Sequence, residues 1–231
     1  MTTTYGPLTG VPAPRDQPPP PVRLRGEPAS ARAARSPITH LRYVALATED
    51  FAGAVAFYEG IWGLYRVGGD TGVAFLGAVG SPEPYVIRVR AAAQRRTDLI
   101  AFGAVSPAAV DALAGRLGAG GVRLAREPGT LDTPGGGYGF RFFDPEGRLV
   151  EVSAGVAAKA YRELEERESV PRRLSHVVLN SSNIPVLMSF YERYFGLRLS
   201  DWLEDRMCFL RCSADHHSLA IAHAPHAGLD T

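Results

Sequence analysis

The segment FYEGIWGL (57–64) returns later in the chain as FYERYFGL (190–197), with the same spacing of its aromatic and Gly-Leu positions. With one inserted residue, VAFLG (73–77) then aligns with MCFLR (207–211). A repeat at a nearly constant offset indicates a duplicated supersecondary unit, because each copy has to bury the same apolar pattern. We therefore expect two copies of one unit, each with a helix that ends near the shared Gly-Leu pair.

The two copies differ in chemistry at one strand position. When the alignment of the two helices is carried back without a gap, Tyr43 aligns with His176, so only the later copy carries an imidazole on its first predicted strand. Strand alternation predicts that Leu174, His176 and Val178 share one face. A duplicated sheet can build a site in one copy and keep the other as scaffold, which makes His176 a candidate functional residue. The alternative is that His176 is an ordinary hydrogen-bonded polar side chain.

Composition excludes several classes of function. The 231 residues are 45% hydrophobic and 21% charged, as in a soluble globular protein of about two small domains. The net charge of +1 does not favour a nucleic-acid partner, and no apolar run approaches the roughly 18–20 residues of a membrane span. Cys208 and Cys212 are too far apart on one predicted strand to form a disulfide. Since no secretory signal is recognisable, we expect a cytoplasmic protein without nucleic-acid or membrane partners.

The first 36 residues form a separate compositional zone. They are rich in Pro and Arg and poor in large aliphatic side chains. Such a segment buries too little apolar surface to offset its chain entropy, so residues 1–36 are predicted to be a disordered arm. Contact of its arginines with nucleic acid or an acidic partner is the alternative reading of this arm.

From Ile38 onward, the alternation of strand and helix patterns predicts an α+β fold of tandem βαβββ units. Two units fill residues 38–155 and are expected to pair as an N-terminal domain. Residues 156–170 are predicted to form a charged amphipathic connecting helix, and residues 171–231 contain a third unit. Because the first two units are expected to pair, the third unit is expected to pair with a fourth. The chain therefore holds three units of an expected four.

Several motifs resemble one superfamily. The Phe-Tyr-x-x-x-x-Gly-Leu helix ends and FFDPEGRLVEV (142–152) resemble the vicinal oxygen chelate superfamily of glyoxalases, bleomycin-resistance proteins and extradiol dioxygenases. LSHVVLNS (174–181) and DHHSLAIAH (215–223) are similar to the second domain of type I extradiol dioxygenases, such as catechol 2,3-dioxygenases and 2,3-dihydroxybiphenyl dioxygenases. The resemblance covers residues 38–231. It implies a metal-free N-terminal domain and a catalytic C-terminal domain.

The resemblance also implies a cofactor and two site residues. The family holds a non-haem Fe(II), or sometimes Mn(II), with two His and one carboxylate, which leaves open positions for a catecholate and O2. His176 matches the first metal ligand. His217 matches a catalytic His beside the metal that assists deprotonation of the catechol, and is preferred over His216 because it directly precedes Ser-Leu-Ala. His223 and His226 match no ligand position.

Other polar residues receive structural interpretations. Glu151 stands where metal-binding units of the superfamily hold their carboxylate, but its expected partners are Tyr43 and Leu99, which are not plausible ligands. We therefore interpret Glu151 as a vestige or a salt-bridge partner. His40 lies three residues before Tyr43, so strand alternation predicts that it faces the opposite side of the sheet.

The remaining two ligands are expected beyond Thr231. Adding the offset between the two repeat copies to Leu99 gives position 232 or 233, where the second His is expected. Adding the same offset to Glu151 gives 284 or 285, where the carboxylate is expected. We therefore expect a C-terminally truncated fragment that is inactive as an enzyme on its own. Its uncovered sheet edge and core face are expected to make it unstable or prone to association. The complete protein is expected to form homo-oligomers, as family members commonly do.

The implied activity is extradiol cleavage of a catechol-like aromatic substrate with O2 in the complete protein. One alternative is a non-catalytic small-molecule binding protein of the bleomycin-resistance type, which would hold its ligand without metal. Another is a glyoxalase-like metal lyase or isomerase, which would not consume O2. A third is a full-length chain that has lost activity or depends on a partner.

Overall fold

The computed structural model describes residues 36–226 and the strand at 228 and 229, so the predicted arm lies outside the described residues except for its last position. No helix in the described part is long and apolar enough to cross a membrane. The elements in chain order are β1 (Ile38–Thr48), α1 (Phe51–Gly60), β2 (Tyr65–Gly69), β3 (Val73–Gly77), β4 (Ile87–Ala91), β5 (Arg96–Ala104), α2 (Pro107–Ala119), β6 (Leu124–Thr130), β7 (Tyr138–Phe143), β8 (Leu149–Ala154), β9 (Val177–Ser181), α3 (Ile184–Phe195), β10 (Arg198–Leu203), β11 (Met207–Arg211), β12 (Leu219–His223) and β13 (Gly228–Leu229).

The strands form two sheets, one of eight strands in the order β2-β3-β4-β1-β5-β8-β7-β6 and one of five in the order β10-β11-β12-β9-β13. The elements form three βαβββ runs, the first from β1 to β4, the second from β5 to β8 and the third from β9 to β12. In each run the first and fourth strands pair in parallel. Strands β1 and β5 pair antiparallel at the centre of the large sheet. The α+β fold predicted from the strand and helix patterns is confirmed.

The internal repeat is visible in the strand register. Val44 of β1 pairs with Ile87 of β4, and the equivalent pair in the third run is Val177 of β9 with Leu219 of β12. The pairing of β2 with β3 has a register shift after its second pair, and the pairing of β10 with β11 has the same shift. The two runs therefore share backbone geometry as well as sequence.

The two repeated helices also begin alike, and each leads to an equivalent glycine. The side chain of Asp50 accepts a hydrogen bond from the backbone N of Gly53, and Asn183 accepts one from Val186 in the same way. Each helix is followed by a glycine with positive φ, 65° at Gly63 and 64° at Gly196.

Strand β13 takes the place beside β9 that β5 takes beside β1. It runs antiparallel to β9, with Leu229 opposite Leu179, whose equivalent Leu46 lies opposite Thr97. Thr97 and Leu229 are thus equivalent positions of the two runs.

Helix α3 packs into a core that it shares with the large sheet. The ring of Phe195 lies 5.2 Å from that of Phe102 on β5 and 5.9 Å from that of Phe142 on β7, both edge-on. All three side chains are fully buried. Aromatic pairs at this spacing contribute about 0.5–1.5 kcal/mol beyond the area that they bury, so this contact fixes the third run against the second.

A polar network joins the turn after β7 to the end of β9. Arg148 donates to the Asp144 carboxylate at 2.9 Å and to the carbonyl of Asn180. The hydroxyl of Ser181 donates to Glu146 at 2.7 Å. These contacts anchor β9, the strand that follows His176.

The predicted connecting helix is wrong. Residues 156–170 form no helix, and three of their backbone N–H groups pair with carbonyls elsewhere in the chain. The N–H groups of Ala157, Lys159 and Arg162 donate to Gly135, Pro82 and Val79, respectively. These long-range bonds replace the bonds that a helix would form within itself, and they lay the segment along the β3–β4 connection.

Candidate functional site

The structure brings His176 and His217 together. His176 immediately precedes β9 rather than lying on it, and His217 comes two residues before β12. Because β9 and β12 are adjacent and parallel, the residues that lead into them meet at the same edge of the sheet. The two imidazole ring centres lie 4.4 Å apart, with the ring planes inclined at 51°.

An apolar wall lies beside the two imidazoles, on the sheet face opposite α3. Phe209 of β11 pairs with Ala220, which pairs with Val178, so these three side chains share one face. The Phe209 ring lies 4.9 Å from that of His217. The predicted place of Leu174 on this wall is wrong, since Leu174 packs against the core on the α3 side. Residues 171–176 form no strand, so strand alternation does not hold there.

The environment of His217 favours its neutral form. Burial lowers the pKa of His217 below its usual value, and the nearby imidazoles of His176 and His216 lower it further. The Nδ1 atoms of His216 and His217 lie 2.9 Å apart, which requires one of them to donate a proton to the other. His176 is exposed, with its Nδ1 atom 3.1 Å from the Ser175 hydroxyl. A neutral His217 can accept a proton from a group bound beside it.

The first run carries an aromatic version of this cluster. The ring of Tyr43 lies 4.6 Å from that of Tyr85, inclined at 54°, and Phe75 lies 4.8 Å from Tyr85. Tyr85 comes two residues before β4, as His217 comes two residues before β12, and β4 and β12 are equivalent strands. Both imidazoles of the third run therefore replace tyrosines of the first.

The sequence comparison missed this second exchange. The β3–β4 connection is two residues longer than the β11–β12 connection, so an alignment carried on from β3 loses the register. Aligning SPEPYV with SADHHS would have revealed it.

Glu151 occupies a closed polar network in the large sheet. The hydroxyl of Tyr43 donates to its Oε1 atom at 3.0 Å, and Arg141 pairs with its Oε2 atom at 2.8 Å. Glu151 is fully buried, and Leu99 lies in the same apolar cluster as Tyr43. The interpretation of Glu151 as a salt-bridge partner is confirmed.

The predicted orientation of His40 is wrong. Its imidazole lies over Gly103, where an added Cβ would be 2.5 Å from the His40 ring, and Nε2 is 2.8 Å from Glu83. Gly103 lies two residues after Ala101, which packs with Tyr43. A register shift between Leu41 and Tyr43 resets strand alternation and puts His40 on the Tyr43 side of the sheet.

The described residues do not complete a metal site. In the part of the chain that the structure describes, no three His, Cys, Asp or Glu side chains are grouped to hold a metal ion. His176 is exposed beside His217, while His223 and His226 are exposed at and after the end of β12. The described residues therefore do not group two imidazoles with a carboxylate.

Comparison with known proteins identifies relatives. The family model described as Glyoxalase/Bleomycin resistance protein/Dioxygenase superfamily matches residues 40–152. Metapyrocatechase 2 of Cupriavidus necator is 34% identical over an alignment of 133 residues, and the match covers 49% of this chain and 40% of that protein.

Solved structures with the same fold include two that differ in the activity they are named for. A Mn(II)-bound glyoxalase from Novosphingobium aromaticivorans has a TM-score of 0.81 and 46% identity, over 84% of this chain and 64% of that one. The 2,3-dioxygenase LapB from Pseudomonas sp. KL28 has a TM-score of 0.73 and 22% identity, over 85% of this chain and 74% of that one, and shows the fold alone. This chain thus spans 40% of the metapyrocatechase and 64% of the glyoxalase.

Proposed function

Residues 40–152 form a domain of the Glyoxalase/Bleomycin resistance protein/Dioxygenase superfamily, and from that premise we propose that this chain is part of an extradiol-type dioxygenase. The complete protein cleaves the ring of a catechol-like aromatic compound with O2. Residues 38–155 act as a metal-free scaffold domain, and residues 171–231 are the first half of the catalytic domain. The observation that carries this proposal is the pairing of His176 with His217 at 4.4 Å where the first run pairs Tyr43 with Tyr85.

The two imidazoles have different roles in this proposal. His176 is exposed at the edge of the sheet and provides one metal ligand. His217 is held against Phe209 and kept neutral by burial, so it accepts the proton of a substrate hydroxyl. Fe(II) or Mn(II), when bound, would supply the Lewis acid for the two substrate oxygens and the chemistry with O2. The described residues supply only one of its three protein ligands.

The other ligands are assigned to a fourth unit that begins at β13. The pairing of β13 with β9 supports this assignment, because it repeats the pairing of β5 with β1. Because Thr97 is equivalent to Leu229, the position equivalent to Leu99 is 231 by strand register. The sequence comparison predicts the ligand His at 232 or 233. The fourth unit would therefore need one or two residues more between Leu229 and its ligand His than β5 has between Thr97 and Leu99.

The first experiment is to read the coding sequence beyond Thr231 and assay the complete product. We expect a His near 232–233, a Glu near 284–285, and metal-dependent uptake of O2 with a catechol. Chelation should abolish uptake, and His176→Ala should reduce the bound metal per chain. A chain that ends at Thr231, or a complete metal-loaded protein that consumes no O2 with any catechol tested, would overturn the proposal.

A second candidate is a glyoxalase-like lyase or isomerase that uses the same His176 ligand position. The 46% identity with the Mn(II)-bound glyoxalase favours it. Such an enzyme would not consume O2. Metal-dependent lyase or isomerase turnover by the complete protein, together with no O2 uptake from catechols, would establish the second candidate in place of the first.

A further inference from the structure

An ion pair bridges the two segments that carry the imidazoles. Arg173 donates from Nη1 to Oδ2 of Asp215 at 2.9 Å and from Nη2 to Oδ1 at 3.0 Å. Arg173 lies three residues before His176, and Asp215 two residues before His217. A two-bonded Arg–carboxylate pair fixes direction as well as distance, because the planar guanidinium and the carboxylate must lie nearly coplanar.

The first run has a hydrogen-bonded pair of side chains at the equivalent place. His40 lies three residues before Tyr43, as Arg173 does before His176, and Glu83 lies two residues before Tyr85, as Asp215 does before His217. The His40 Nε2 atom lies 2.8 Å from Glu83. The same pair of backbone positions is therefore bridged in both runs, with different residues.

The loop that presents the acidic residue is repeated as well. The backbone N of Asp215 donates to the Ser213 hydroxyl at 3.2 Å, and the backbone N of Glu83 donates to the Ser81 hydroxyl at 3.2 Å. Ser-x-acid-x-ring is the shared pattern, with Tyr85 as the ring in one run and His217 in the other. The loop thus sets the acidic side chain at a fixed distance from the ring residue.

We propose that Arg173 and Asp215 are positioning residues, whose ion pair holds His176 against His217. This inference rests on the proposed function only for its catalytic consequence. Backbone hydrogen bonds reach the residue after each imidazole, since the N–H of Val177 donates to Ser218 at 3.3 Å and the N–H of Ser218 donates to Leu210 at 2.9 Å. These bonds hold the chain after His176 and His217, whereas Arg173 and Asp215 lie before them in the chain. The ion pair is the side-chain bridge between their two segments.

Exposure separates this role from folding stability. The side chain of Arg173 is 54% exposed and that of Asp215 is 41% exposed. Exposed ion pairs contribute little to the free energy of unfolding, so breaking this one should leave the fold intact. Its effect on the geometry of the two rings can then be measured in a folded protein.

The experiment compares Arg173→Gln, Asp215→Asn and the charge-swapped double variant R173D/D215R in the complete protein. The matched control is His40→Gln, which breaks the equivalent bridge in the run without imidazoles and leaves Arg42 paired with Glu83. Ring geometry is read from the nuclear Overhauser cross-peak between the His176 and His217 ring protons in metal-free protein labelled at histidine. Activity is read as kcat and KM separately.

We expect each single variant to lose the cross-peak while its melting temperature stays near that of the parent. In an active protein kcat should fall about tenfold or more, because displacing a reacting group by about 1 Å can cost up to a hundredfold. The charge swap should recover both readings, and His40→Gln should change neither. A cross-peak that persists in both folded single variants would overturn the proposal. Loss of the cross-peak in a protein without dioxygenase activity would instead retain the positioning role and reject the proposed function.

Discussion

The hydroxyl of Tyr43 donates a 3.0 Å hydrogen bond to Oε1 of Glu151 in the large sheet. Tyr43 is the equivalent in the first run of His176 in the third. Arg141 neutralises the other carboxylate oxygen at 2.8 Å. Both carboxylate oxygens of Glu151 are therefore engaged by the protein's own side chains. Glu151 serves as a structural ion-pair partner within the large sheet.

Replacing Glu151 with Gln should destabilise the protein. The change leaves the largely buried Arg141 guanidinium without a counter-charge, and breaking a buried pair in this way costs about 3–5 kcal/mol, reduced here because Arg141 is 21% exposed. We therefore expect a loss of about 2–4 kcal/mol in the free energy of unfolding, measured by denaturant titration. The control Glu127→Gln, at an exposed position, should change it by less than about 0.5 kcal/mol. A loss below about 1 kcal/mol would show that water replaces the carboxylate.

Truncation of Phe195 should separate the third run from the large sheet. Its fully buried ring packs edge-on against Phe102 and Phe142, and Phe→Ala changes in cores cost about 3–5 kcal/mol. The matched control is Trp62→Ala, since Trp62 is the repeat equivalent of Phe195 but is 43% exposed. We expect its cost to be less than half as large. Thermal unfolding of Phe195→Ala should also split into two transitions, whereas equal losses for both variants would contradict the assigned core.

Alkaline pH should unfold the protein as its buried tyrosines ionise. Burial and the neighbouring Glu151 raise the pKa of Tyr43 well above 10, and burial and Asp144 do the same for Tyr191. The pKa of these groups is higher in the folded than in the unfolded chain, so their contribution is complete below about pH 10 and is lost as the pH rises above it.

The measurement is absorbance at the phenolate band, recorded together with circular dichroism. We expect the last tyrosines to ionise in the same pH interval in which structure is lost. Reversible ionisation of all nine tyrosines near pH 10 in a protein that stays folded would contradict the buried positions of Tyr43 and Tyr191.

Replacing His217 with Asn should slow turnover in the complete enzyme without removing its metal. Loss of a general base lowers kcat by about a hundredfold to ten-thousandfold. Metal content should be unchanged, because His217 is assigned to the substrate and not to the metal. His226→Asn, at an exposed position after β12, is the matched control and should leave kcat as it was. Loss of metal in His217→Asn would instead make His217 a ligand.

Much of this site could be read from the repeat. The alignment of Tyr43 with His176 located one half of it, and the family motif selected His217. The second exchange, Tyr85 for His217, was missed because the β3–β4 connection is two residues longer than the β11–β12 connection, and an ungapped comparison loses the register there. The misplacement of Leu174 and His40 has a similar cause. Both predictions extended strand alternation through a bulge or past a strand end, where side-chain direction is set by local backbone geometry.

The sequence by itself determined the α+β class, the order of strands and helices, the duplicated unit and its helix caps, because these depend on local periodicity and on capping residues close in the chain. Only the tertiary structure decided that residues 156–170 are not helical, that Arg173 bridges to Asp215, and that Tyr43 and Arg141 close on Glu151. Each of these depends on partners that are distant in the sequence or lie on adjacent strands, and pairing energies of that kind are decided by which segments the fold brings into contact.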